Sequence, residues 1–445
     1  MTASLPMHRA RPGAEAVWPA AQTEATEVAP GIWMSQGLSN SYMLTTSEER
    51  VIINTGVPFE SLVHEELFDA VDNGPTRYII VTQGHPDHFG GVDTFREPDT
   101  DVVMQENWPM WRDEYFVGVL NGFRSRAGFA WSEQVRTGLK QATERFGKAL
   151  VELPDPKPTI VVDEHQSLKV GGRRLELYST PGGETTDSMV VWLPEERIVF
   201  TGNLFGPLFG HVPNLVTLRG DRYRDPLLYL ESLAFVRSLG AEVLITGHFD
   251  PVVGATLIDD ELRRMGEATR YVHDETLRGM NAGHDVHTLM RDVVVPAELE
   301  VGEGYGKNSW NVRAIWEIYT GWFHHHSTTE LYGVPQDAVH SDLVELAGGA
   351  KVLVARAAAH LAAGHGLEAI HLLDIVLGVE PDDSEARARY ADAHRALLAD
   401  AQNFWERKWL EHQIRRGTSE WAPPEPTRPV FVRGPGPISE RTGLA

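Results

Sequence analysis

Thr82-Gln83-Gly84-His85-Pro86-Asp87-His88-Phe89-Gly90-Gly91 decides the reading of this chain. Three metal-competent side chains, His85, Asp87 and His88, fall within four residues. They follow the apolar run Tyr78-Ile79-Ile80-Val81, which has the length and composition of a buried strand. Gly90 and Gly91 come next, where a helix has to pack closely on that strand. A strand tip that delivers two imidazoles and a carboxylate to one place is suited to hold a metal ion.

The rest of the chain limits what such a site is built from. The 445 residues contain no cysteine, so thiolate ligands and disulfides are excluded and any metal rests on His, Asp and Glu. Hydrophobic content of 42% and charged content of 23% are those of an ordinary globular protein. The formal net charge of −23 repels nucleic acid and anionic membranes, so neither is expected as a partner. No run of 18 apolar residues is present, and residues 1–22 lack the apolar stretch of a secretory signal; a cytoplasmic location is expected.

Residues 1–26, rich in Ala, Pro and Glu, read as an arm that is either disordered or wrapped on a neighbour. Strand-like runs follow at Gly31–Met34, Ser41–Leu44 and Arg50–Ile53, then a helical pattern at Leu62–Val71 and a strand at Arg77–Thr82. Residues 104–150 hold Trp108, Trp111, Tyr115, Phe116, Phe123, Phe129 and Trp131. This aromatic helical insertion either packs a core or walls a pocket. Strands resume at 159–162, 174–178, 189–193 and 197–200, the last two joined by a Pro194-Glu195-Glu196 hairpin turn. A helix over 225–239 and a strand over 242–246 lead to Gly247-His248. Helical patterns dominate after Gly254, at 259–281, 351–363, 367–377 and 383–399. Two halves of strands, each ending in a possible ligand, predict an α/β fold, a four-layer αββα sandwich followed by an all-helical region.

The segment 82–91 resembles the His-x-His-x-Asp-His signature of the metallo-β-lactamase fold, with Gln83 in place of the first histidine. Three further stretches resemble the alkylsulfatase branch of that fold: Thr180-Pro181-Gly182-Gly183-Glu184, Val212 to Gly220, and Tyr305 to Phe323. The resemblance covers roughly residues 28–412. It implies a lactamase-like domain over 27–256, a helical dimerisation domain over 257–416 and an extended tail over 417–445. The sterol-carrier-like domain that usually closes the family's chains is not expected here. The resemblance further implies a metal-dependent hydrolase acting through a metal-bound water on a small anionic ester, as a homodimer. Zinc, as one or two ions, is the expected cofactor, with iron or manganese as alternatives.

Carried over by position, Gln83, His85 and Glu184 surround a first metal, and Asp87, His88 and His248 a second. Asn214 and Arg219 hold the anionic head, and Arg219 suits it because guanidinium forks onto oxyanions and stays charged. Asp87 and His211 are the candidate catalytic residues. His324-His325-His326 is set aside as a metal grip, because consecutive side chains point in different directions.

Four positions depart from the family pattern: Gln83, Asn54, Gly202-Asn203 where a bridging carboxylate is expected, and Pro213 where a histidine is expected. A neutral amide is a weaker ligand than imidazole. Without a bridging carboxylate, two dications about 3.5–4 Å apart lose the negative charge between them. The first site is therefore expected to be weak, while the second keeps three ligands and an open position. Two alternatives follow from the altered ligand set: iron and oxygen chemistry on a repurposed site, or a degenerate dimeric binding protein.

Overall fold

The computed structural model describes residues 6–113 and 125–418. Its described residues fall into two compact units divided between Ile318 and Tyr319.

The first unit is built on two sheets. The seven-stranded sheet runs in chain order: β1 (Thr26–Ala29), β2 (Ile32–Ser35), β3 (Ser41–Thr45), β4 (Arg50–Ile53), β5 (Thr76–Ile80), β6 (Asp101–Gln105) and β7 (Ile160–Val162). The six-stranded sheet comprises β8 (His165–Val170), β9 (Arg173–Ser179), β10 (Met189–Leu193), β11 (Ile198–Gly202), β12 (Val243–Thr246) and β13 (Val252–Val253), in the order β13-β12-β11-β10-β9-β8. Strands β4 to β7 are mutually parallel, as are β11 and β12.

Alternation along the strands makes the layers. Ile32, Tyr42, Leu44, Val51, Ile53 and Ile80 face Leu175, Leu177, Val191, Leu193, Phe200 and Ile245 in the core between the sheets. The intervening Met43, Ile52, Ile79 and Val102 point outward onto Val63, Leu67 and Phe68 of the helix Pro58–Asp69 and onto Phe89, Phe95 and Trp108. On the far side, Val190, Val199 and Leu244 meet Leu230 and Leu233 of the helix Pro226–Ser238 and Leu262 and Met265 of the helix Ala255–Asn281. Both faces of each sheet are covered, which explains why the central strands read as unbroken apolar runs. The αββα sandwich expected from sequence is the architecture found.

Over its described part the arm packs on its own domain. The Met7 amide donates to Glu261 Oε1 at 3.2 Å, Arg9 pairs with Glu300 at 2.6 Å, and Arg11 Nη2 donates to the His248 carbonyl at 3.4 Å. Ala14, Val17 and Ala20 are buried. Apolar side chains spaced among the polar ones hold the segment to its own domain, a pattern too irregular for a periodicity test.

In the second unit, helices Ala350–Ala362, Gly366–Val379 and Ser384–Asp400 pack through Val354, Ala357, Ala369, Leu373, Val376, Ala386 and Ala393. Alanine at four of these contacts permits close approach of the helices. A further helix, Phe404–Gly417, follows. No helix among the described residues is long and apolar enough to cross a membrane. Tyr115, Phe116, Phe123 and the tail from residue 419 lie outside the described residues.

Candidate metal centre

Asp87 and His88 sit on a short helix, Pro86–Phe89, that begins six residues past the end of β5. Proline at the first helical position fits, since no intrahelical acceptor awaits its missing N–H. Gly90 and Gly91 hold this turn close to the helix Pro58–Asp69. An added Cβ at Gly90 would stand 2.5 Å from Pro58 Cδ, and one at Gly91 2.4 Å from Ser61 Cβ. The His88 carbonyl accepts from the Thr55 amide at 2.8 Å and from its hydroxyl at 3.0 Å. Asn54, in a left-handed conformation at φ 57°, accepts from the Thr82 amide at 2.9 Å. The tips of β4 and β5 are thereby tied together beneath the site.

His248 arrives from the tip of β12. Its Nε2 lies 4.0 Å from Asp87 Oδ2, and His88 Nε2 lies 3.6 Å from the same oxygen. One donor atom from each of the three residues falls within 4.8 Å of the others, the only such His, Asp and Glu group among the described residues. His88 Nε2 is buried and has no hydrogen-bond partner among the described residues. The Ser39 hydroxyl donates to the Gly247 carbonyl at 3.1 Å and stands 3.4 Å from His88 Nδ1. With its proton committed to the carbonyl, Ser39 accepts from Nδ1–H, which leaves the lone pair of Nε2 facing Asp87. Burial pushes His88 down to about 3 and His248 down to about 4, so both rings are neutral at physiological pH. Burial also raises Asp87 above the ordinary carboxylate range, opposed by His248 and Arg219. A partly exposed carboxylate beside two buried, neutral imidazoles, one nitrogen orphaned, fits a divalent cation.

The residues of the expected first site are arranged differently. Gln83 Oε1 accepts from the Asn203 amide at 3.1 Å, and Gln83 Nε2 lies 2.8 Å from His85 Nδ1. Glu184, on the loop after β9, places Oε2 3.6 Å from His85 Nδ1 and Oε1 3.4 Å from Arg224 Nη1. Arg224, absent from the sequence reading, also donates to Asp221 Oδ2 at 3.3 Å and to the Asn214 carbonyl. Arg219 Nε donates to the same Asp221 oxygen at 3.2 Å. Asp221, with a side chain 1% exposed, thus fixes both guanidinium groups. Asn214 is buried, and neither its Oδ1 nor its Nδ2 has a hydrogen-bond partner among the described residues. The Trp111 ring stands edge-on to His85 at 5.9 Å, and its Nε1 donates to Thr186 at 2.9 Å. Trp108 is fully buried against Phe89 and belongs to the core.

His211 is placed against His8 of the arm, with ring centroids 6.1 Å apart, and its Nδ1 accepts from the Gly304 amide at 2.9 Å. Burial pushes its pKa down to about 4. Sequence reasoning missed Ser39, Arg224 and a buried pair on the helix Pro58–Asp69. Glu60 accepts from the Ala20 amide at 2.7 Å and the Leu38 amide at 3.1 Å, and His64 Nδ1 meets Ser35 Oγ at 2.7 Å. The only signal for that pair was a Glu and a His four residues apart on the apolar face of a helix.

Residues 34–248 match the metallo-beta-lactamase superfamily, which defines the class of the first domain. Residues 288–415 match the alkyl sulfatase dimerisation family. The chain thus carries a metallo-beta-lactamase superfamily domain followed by an alkyl sulfatase dimerisation domain. It is 28% identical over 390 residues to a linear primary-alkylsulfatase of Pseudomonas sp. (strain ATCC 19151), covering 82% of this chain and 72% of that protein. It is 24% identical over 441 residues to the alkyl/aryl-sulfatase BDS1 of Saccharomyces cerevisiae, covering 90% and 66%. The solved structure of the stereoselective inverting sec-alkylsulfatase Pisa1 from Pseudomonas sp. superposes with a TM-score of 0.79 at 22% identity, over 90% of this chain and 66% of that one. The chain therefore spans between about two thirds and three quarters of the length of these relatives.

Proposed function

We propose that this protein is a metal-dependent hydrolase of sulfate esters carrying an alkyl or related apolar group. The reading is carried by the convergence of Asp87, His88 and His248 from two strand tips, with His88 Nε2 buried and without a hydrogen-bond partner among the described residues. Asp87, His88 and His248 would hold the ion, and zinc suits two imidazoles and a carboxylate with a position left open. Bound there, a divalent ion lowers the pKa of water and stabilises negative charge that develops during hydrolysis.

The chain's own residues supply the rest. Arg219, anchored through Asp221, and the buried amide of Asn214 are assigned to the sulfate oxygens. A buried amide without partners is costly to leave so, and an oxyanion would accept from its Nδ2. Trp111 offers an apolar edge beside His85 for the carbon chain. His211 is not assigned the proton transfer, because burial holds it neutral and its Nδ1 is committed to Gly304. The match to a dimerisation family supports a homodimer.

Release of inorganic sulfate from dodecyl sulfate, measured alongside zinc content, tests the assignment. Wild-type protein is expected to retain zinc through dialysis and release sulfate, and Asp87→Ala to lose both. Retention of activity by metal-free protein would refute it, and iron in place of zinc would favour oxygen chemistry at the same residues.

A further inference from the structure

We propose that Glu60 is a positioning residue for the metal centre: it fixes the loop 36–40, and that loop sets the separation of His88 and His248, which come from different sheets. The inference rests on the hydrolase reading above and deepens it by naming what keeps the ligands of that site in register.

The loop 36–40 joins β2 to β3, yet its polar contacts reach across to the turn 247–250 that follows β12 in the other sheet. The Gly247 carbonyl accepts from the Asn40 amide at 2.7 Å and from the Ser39 hydroxyl at 3.1 Å. Asn40 Nδ2 donates to the Phe249 carbonyl at 2.8 Å, and Gln36 Nε2 to Asp250 Oδ1 at 2.9 Å. Phe249 holds a left-handed backbone at φ 62°, which a bulky side chain rarely adopts. Such a conformation persists only where its surroundings impose it, and the loop supplies that restraint directly beside His248. On its other flank the same loop places the Ser39 hydroxyl 3.4 Å from His88 Nδ1. Asp87 Oδ2 lies 3.6 Å from the Nε2 of His88 and 4.0 Å from that of His248. Displacing the loop by about half an ångström is therefore enough to spoil a shared coordination sphere.

Glu60 and His64 hold the loop in place. The helix Pro58–Asp69 is seated on the seven-stranded sheet through Val63, Leu67 and Phe68, which makes it a rigid base. From it, both oxygens of the buried Glu60 carboxyl accept from the Leu38 amide at 3.1 Å, at the midpoint of the loop. The Ala20 amide, 2.7 Å from Oε1, steadies the carboxyl from a second side. His64 Nδ1 lies 2.7 Å from Oγ of Ser35, where β2 ends and the loop begins. The approach is this close because residue 37 has no side chain: an added Cβ would stand 2.9 Å from Glu60 Oε2 and 3.1 Å from His64 Cε1. A carboxyl group is costly to bury unless it is hydrogen-bonded. Glu60 offsets that cost by accepting from backbone amides, one of which belongs to the loop that carries Ser39 and Asn40.

The test uses the full-length chain and reads zinc affinity by competition with a chromophoric chelator, beside the metal-free melting temperature. Glu60→Ala, which removes the acceptor, is expected to weaken zinc binding about tenfold, the scale on which supports of metal-binding side chains act. Glu60→Gln keeps an oxygen for the Leu38 amide and should stay within about threefold of wild type. Leu233→Ala opens a cavity in the core on the far side of the six-stranded sheet. It should lower the melting temperature and leave zinc affinity within about twofold of wild type. Gly37→Ala keeps every hydrogen-bonding group and crowds Glu60 off the loop. It should reproduce the loss seen in Glu60→Ala, and it decides the matter if that variant fails to fold. Wild-type zinc affinity in Glu60→Ala or Gly37→Ala would overturn the inference and leave the hydrolase reading standing. An equal loss in Leu233→Ala would also overturn it, by tracing the effect to stability. No zinc on the wild type would overturn the hydrolase reading and this inference with it.

Discussion

Replacing Ser39 with alanine isolates the contribution of a hydroxyl that touches no substrate. Ser39 is fully buried, accepts from His88 Nδ1 and donates to the Gly247 carbonyl. Groups that orient a metal-binding histidine typically govern 10- to 100-fold in metal affinity, or about 1.4–2.8 kcal/mol. The 3.4 Å separation from His88 is long for a hydrogen bond, which places the expected loss near the lower figure, about tenfold. The cost to the fold should be smaller. The Gly247 carbonyl also accepts from the Asn40 amide at 2.7 Å, so it stays bonded when the hydroxyl is gone. The remaining loss is about 1 kcal/mol or less, for one neutral bond with its acceptor still satisfied. Ser39→Ala should therefore weaken zinc binding, read by competition with a chromophoric chelator, while moving the metal-free melting temperature by only a few degrees. An affinity within twofold of wild type would refute the tautomer argument for His88. A large fall in the melting temperature would mean that Ser39 serves the fold and not the ligand.

Gly247→Ala should abolish zinc retention, because the new Cβ would stand 2.3 Å from Asn203 Oδ1 and 2.9 Å from His88 Cε1; zinc analysis after dialysis checks it. Gln83→His should raise zinc stoichiometry above one per chain by exchanging a donor for a ligand, and an unchanged value would move the block to Asn203. Burial pushes Glu60 up to about 8 from an ordinary 4.5, so the folded chain holds a proton that the unfolded chain releases between those values. The associated stability is full below about 4.5 and is lost as pH rises through about 8. The melting temperature of wild type should thus fall more steeply between pH 5 and 8 than that of Glu60→Gln, and parallel curves would refute the assignment.

Much of the fold was legible because its signals are local. The runs at 50–53, 189–193 and 242–246 are too apolar for anything but strands covered on both faces, and all three are strands. β6 and β8 were not recognised: Asp101-Val102-Val103-Met104-Gln105 carries only three central apolar residues, and β8 alternates Ser and Lys with Leu and Val. Asp87 and His88 were legible because a four-residue spacing carries its own geometry, and His248 because it follows a buried strand. Arg224 and Ser39 were not, since nothing in the chain near them announces a partner 40 or 49 residues away. Gln83 was read by residue type alone. Its direction depends on an acceptor and a donor supplied from Asn203 and His85, which only three-dimensional placement reveals.

The arm residues that reach Glu261, Glu300, His248 and Glu60 do so through a handful of polar contacts, far fewer than the ladder bonds that hold the strands. Such a strap peels away under heating before the sheets come apart. Because Arg11 fastens the His248 loop and Ala20 shares Glu60 with Leu38, warming should loosen the grip on the ion first. Thermal inactivation of this protein would then set in below its calorimetric transition, and added zinc, more than a stiffer core, would extend its working life.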